Sequence, residues 1–171
     1  MKATVKANKT GAKKRESSVL QTFLGYIGAV IITYSLGVVA ATAHVIGHFE
    51  SMSGAAVGLS QRVSWTLQDI LGMLAPPIYP LAVSVMLLIA FAVAGFVVRR
   101  IGGLRPAGFV IAGALGMVGL HLLLNFVFEI NSIAASRELT GLLGQAFAGG
   151  CGGVGYLLLH PDRSGPPGAT A

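Results

Sequence analysis

Three residues in the stretch Gly113–Asn131, GALGMVGLHLLLNFVFEIN, carry side chains capable of chemistry: His121, Asn125 and Glu129. Their spacing of four places them along one slowly turning helical stripe. In so apolar a setting, each polar side chain needs a partner. A second pair, His44 and His48, stands at i and i+4, which puts both on one helix face, as helical metal pairs require. The candidate metal ligands are therefore His44, His48, His121 and Glu129. His44 with His121 is the pair that could ligate a b-type haem from facing helices. A proton or solute route is the third chemistry to weigh, because a buried ionisable residue is a functional hypothesis in itself. Only His121 lies deep enough, and no acid or base continues toward the other side, so a complete relay is not expected.

Catalytic signatures are absent. The chain has no Gly-rich phosphate loop with lysine, no GxSxG elbow and no Cys–His pair in a supporting context. Gly149-Gly150-Cys151-Gly152-Gly153 lacks the preceding strand that a nucleotide fingerprint requires. Ser84 with His121 is the nearest approach to a nucleophile and base, and nothing around Ser84 marks it as activated. No enzyme activity and no cofactor are expected.

The elements that must position these residues are membrane spans. Of 171 residues, 54% are hydrophobic and only 11% charged, against about 25% charged in a soluble domain. The apolar residues form runs of spanning length, about 20–46, 78–98, 107–128 and 139–159. The expected fold is all-α, an integral membrane bundle of four transmembrane helices within residues 19–160. Residues 1–18 read as a disordered basic arm and 161–171 as a disordered tail. The first run is longer than the hydrophobic region of a signal peptide, about 7–15 residues, so a retained span is expected. Between the first and second runs, Val63, Leu67, Ile70, Leu71 and Leu74 follow helical spacing. They predict a short amphipathic helix near 60–74 lying in the interface, with Trp65 at headgroup depth.

Packing signals are small residues four apart. Gly25, Ala29, Thr33, Gly37 and Ala41 form one stripe, Gly108, Ala112 and Gly116 a second, and Gly149 and Gly153 a third. Such stripes let helices approach closely, within the chain or between chains. The fourth span is expected to stay a straight or slightly irregular helix despite its glycines, because unsatisfied backbone costs more in lipid. A broken helix lining a cavity is the alternative.

Orientation follows from charge. Ten of the twelve Lys and Arg lie in the amino-terminal arm, the 99–105 loop and the tail, and only Arg62 and Arg137 lie on the other side. Both termini are therefore expected in the cytoplasm, and the net charge of +6 is no nucleic-acid signal. Counting inward at about 1.5 Å per residue, Ser84, His121, Asn125 and Gln145 share a depth in the outer half and form a candidate polar layer. The leading expectation is structural: interhelical hydrogen bonds that fix register.

The segments TLQDILGMLAPP, RRIGGLRP and SRELTGLLGQAFAGGCGG resemble small four-span bacterial inner-membrane proteins known only as uncharacterised. The resemblance implies a topology and an inner-membrane location, and no activity. The expected role is a multi-pass accessory or scaffold subunit, partnered by the bilayer and by other membrane chains. A haem- or metal-binding protein using the outer polar layer, or an oligomeric small-solute transporter, are the alternatives.

Overall fold

The computed structural model describes the backbone of residues 2–101, 105–128 and 138–160, and the side chains of residues 19–101, 105–126 and 138–160. Five helices account for the described elements: α1 (Lys2–Ser53), α2 (Leu59–Gly72), α3 (Ile78–Ile101), α4 (Arg105–Phe128) and α5 (Leu139–Leu159). Four of them are long and apolar enough to cross a membrane: Val19–Ser53, Ile78–Ile101, Arg105–Phe126 and Leu139–Leu159. Among the described residues the chain is all-helical, and its four long apolar helices fit a multi-pass membrane protein.

Helix α1 exceeds its expected bounds at both ends. It takes in residues 2–18, a segment rich in Lys and Ala, both good helix formers. It also runs past Ile46 to Ser53, so His44 and His48 both stand on a continuous helix. The tail from residue 161 onward lies outside the described residues.

The packing order around the bundle differs from the chain order. Helix α5 lies between α1 and α4 and packs on both, α3 packs mainly on α4, and α1 touches α3 more lightly. The glycines explain why α5 takes the central place. A Cβ on Gly149 or Gly153 would overlap the α4 backbone at Gly113 or Phe109, and a Cβ on Gly152 would overlap Thr33 of α1. Two faces of one helix are thus stripped for backbone contact, and α5 remains a continuous helix. The α1 stripe lies against it: Gly25 faces Tyr156 and His160, Ala29 and Thr33 face Gly152, and Gly37 faces Gln145. Ala41, further along the stripe, is buried too. Below these contacts, Phe91, Phe109 and Tyr156 form an aromatic cluster with centroids 4.8–5.6 Å apart. Arg105 donates to the His160 carbonyl oxygen at 2.8 Å, closing the inner end of the α4–α5 pair.

Helix α2 is clamped to the outer part of α1. Thr42 donates to the Asp69 carboxylate at 2.6 Å, and Tyr34 donates its hydroxyl proton to the Ile70 carbonyl oxygen at 2.6 Å. Arg62 pairs with Glu50, and Glu50 also accepts from the Val57 N–H at 2.6 Å. Trp65 meets Phe49 edge-on at 5.9 Å. The residues turned toward α1 recur at helical spacing: Arg62, Trp65, Thr66, Asp69 and Ile70. The apolar stripe of Leu59, Val63, Leu67 and Leu71 is the opposite face, and it is exposed.

Candidate functional site: two polar regions at the outer end

The sequence-predicted polar residues divide into a buried set and a rim set. In the buried set, His121 and Gln145 are almost fully enclosed. Gln145 donates through Nε2 to the Gly37 carbonyl oxygen at 2.9 Å, joining α5 to α1. His121 places Nδ1 2.8 Å from the Met117 carbonyl oxygen one turn back on α4, which fixes the proton on Nδ1. Its ring meets Tyr79 edge-on at 6.2 Å, and Tyr79 in turn meets Tyr34 at 6.0 Å. Among the described residues, His121 Nε2, Gln145 Oε1 and Thr33 Oγ1 accept or donate no hydrogen bond.

Ser84 lies elsewhere. Its Oγ is 2.7 Å from the Tyr26 hydroxyl, and its carbonyl oxygen accepts from the same hydroxyl at 2.6 Å. Ser84 is thereby committed to α1 and makes no hydrogen bond to His121. Asn125 is half-buried on α4. Glu129 and Arg137 lie outside the described residues, so the stripe is followed only as far as Asn125.

A common arrangement runs through this layer. Gln145, His121, Tyr26 and Tyr34 each hydrogen-bond a backbone carbonyl oxygen. A carbonyl next door is an inexpensive partner in an apolar interior, since it needs no second polar side chain to be buried. Three of these bonds join one helix to another, and that of His121 stays within α4.

The rim set is organised differently. His44 and His48 project from the carboxyl-terminal part of α1, with their Nε2 atoms 3.1 Å apart. The Glu138 carboxylate, at the amino terminus of α5, lies 3.1 Å from His48 Nε2 and 3.7 Å from His44 Nε2. Its side chain makes no capping bond to its own helix and turns to the histidines instead. The three ligand atoms all fall within 4.8 Å of one another. His121 is not one of them: the stripe that contains it belongs to the buried set.

Glu138 is not among the donors that the sequence singles out. The signal was present in the antiparallel register of α1 and α5. Gln145 bonds Gly37, and seven residues outward on each helix stand Glu138 and His44. The hydrogen bonds of Tyr26 and Tyr34 also went unread, because an aromatic in an apolar run reads as packing.

A third feature is apolar. An open trough of about 530 Å³ runs along the inner halves of α3 and α4, with Ala90, Ala94, Gly108, Ala112 and Gly116 on its floor. Compared with known protein families, curated proteins and solved structures, the chain matches none.

Proposed function

We propose that this chain is a multi-pass protein of a bacterial inner membrane, with both termini in the cytoplasm, working without catalysis as an accessory or scaffold subunit. The orientation rests on the ten-to-two partition of Lys and Arg. The outward-turned Leu59, Val63, Leu67 and Leu71 of α2 support its lying in the outer headgroup layer, apolar face to the lipid.

The observation that carries the subunit role is the trough. The small-residue faces of α1 and α5 are consumed by packing inside the chain, so they cannot serve a partner. The α3–α4 seam leaves an open groove beside Ala90, Ala94, Ala112 and Gly116, with Ile89, Val93, Ile111 and Leu115 exposed along it, while Gly108 and Gly116 themselves pack on Val98 and Ala90. Small residues give up little side-chain area to lipid and let an incoming helix reach the backbone, which is how helices associate where burial from water no longer drives them.

The test is site-directed photo-crosslinking in native membranes. Val93 lines the trough and is exposed, and Ile31 on α1 is exposed and remote from it. In a Cys151→Ser background, a photo-crosslinker on Val93→Cys is expected to yield one discrete adduct with another protein chain, and the same probe on Ile31→Cys to yield none. Lipid adducts alone at both positions would overturn the subunit reading.

A further inference from the structure

The geometry points to a binding site for a divalent transition-metal ion of the zinc type, formed by His44 Nε2, His48 Nε2 and the Glu138 carboxylate at the outer rim. It is independent of the subunit reading, since the trough lies on other helices at the opposite end.

Distances carry the argument. In a tetrahedral zinc site with bonds of about 2.0–2.1 Å, neighbouring ligand atoms stand about 3.3 Å apart. His44 Nε2 and His48 Nε2 are 3.1 Å apart, His48 Nε2 is 3.1 Å from Glu138 Oε1 and His44 Nε2 is 3.7 Å from Glu138 Oε2, all close to that value, and one ligand atom from each residue lies within 4.8 Å of the other two. One ion centred between the three donors would meet all of them with small side-chain rotations. Two imidazole nitrogens and one carboxylate oxygen form a borderline donor set, suited to zinc, cobalt or nickel and unsuited to magnesium, which requires oxygen.

The frame is rigid where it must be. Both histidines stand on one face of α1, one turn apart, on a helix that continues to Ser53. That end of α1 is held by the Thr42–Asp69 bond below the histidines and the Glu50–Arg62 pair above them. Glu50 is engaged by Arg62 and the Val57 N–H, so Glu138 is the acid that faces the histidines. It arrives on α5, whose register against α1 is set by Gln145 and the glycine contacts. The side chains are 13%, 46% and 52% exposed for His44, His48 and Glu138. Three protein ligands on one side and water on the other leave a fourth coordination position open, which is the form of an exchangeable or reactive site rather than a closed structural one.

The competing explanation is a plain ion pair between a protonated histidine and Glu138. Zinc titration separates the two. The full chain is purified in detergent through an affinity tag free of histidine, stripped with a chelator, and titrated with zinc sulfate by calorimetry. Cobalt chloride serves as an optical probe of the same donors. One zinc per chain is expected, with visible cobalt bands of tetrahedral coordination and no heat from magnesium. His48→Ala and Glu138→Gln, both at exposed positions, are expected to weaken zinc binding by at least about tenfold. Absence of saturable zinc binding to the unmodified chain would overturn the site, as would binding undiminished in both variants.

Discussion

His121 and the His44–His48 pair are the same side chain at the same end of one bundle, and they do different things. His121 is enclosed, spends one nitrogen on the carbonyl of Met117, and packs its ring against Tyr79. His44 and His48 spend their Nε2 atoms on each other and on Glu138, within reach of water. The difference is the supply of partners. Inside the bundle the partner at hand is a backbone carbonyl oxygen, on the same helix for His121 and on α1 for Gln145. At the rim, side chains from distant parts of the chain meet without that constraint, and donors can converge on a common point. A polar stripe on an apolar helix thus meets backbone partners along its buried length, while side-chain donors from different helices gather at the helix ends.

The contrast fails if the buried seam does not set the geometry of the rim, so the largest expected effect lies there. Gly153→Leu drives a side chain into the Phe109 backbone. Overpacking of this kind is expected to cost about 3 kcal/mol or more, because a backbone cannot rotate aside as a side chain can. Thermal unfolding in detergent, followed by size-exclusion elution, should show loss of the monodisperse folded species.

A smaller loss is expected from Gln145→Leu, which removes the α5–α1 bond to the Gly37 carbonyl oxygen, an oxygen that keeps its partner within helix α1. The cost should be about 1–2 kcal/mol. The same variant should loosen the α1–α5 register and weaken zinc binding at the rim, seven residues outward, although it touches none of the three donors. Calorimetric titration of the variant with zinc checks this, and unchanged affinity would show that the rim is positioned by other contacts.

Much of this architecture was legible beforehand, for reasons that differ by element. The span 139–159 coincides with α5, since apolar length and the following His160-Pro161 mark its ends without help from tertiary contacts. The second and third spans came within three residues of α3 and α4, whose far ends blur where arginines and prolines can still be helical. The first span was expected over about 20–46, and α1 continues beyond it as one helix through His48 and Glu50 to Ser53, where contacts with α2 and Glu138 hold it. Helix α2 was placed correctly, yet which of its faces meets α1 was not readable, since Thr42, Asp69 and Tyr34 declare their pairing only once the helices are side by side. The candidate metal donors were half legible: i, i+4 histidines are a local pattern, while Glu138 depends on a register that only packing defines.

The buried histidine is expected to serve stability, and the rim histidines binding. A two-variant comparison tests it most directly: His121→Leu and His48→Ala, each measured for thermal stability and for zinc affinity in the same detergent. The account predicts that His121→Leu changes stability by about 1–2 kcal/mol and keeps zinc affinity within about twofold. It predicts that His48→Ala leaves stability within about 0.5 kcal/mol and weakens zinc binding by at least about tenfold. Loss of zinc binding in His121→Leu with its retention in His48→Ala would contradict it.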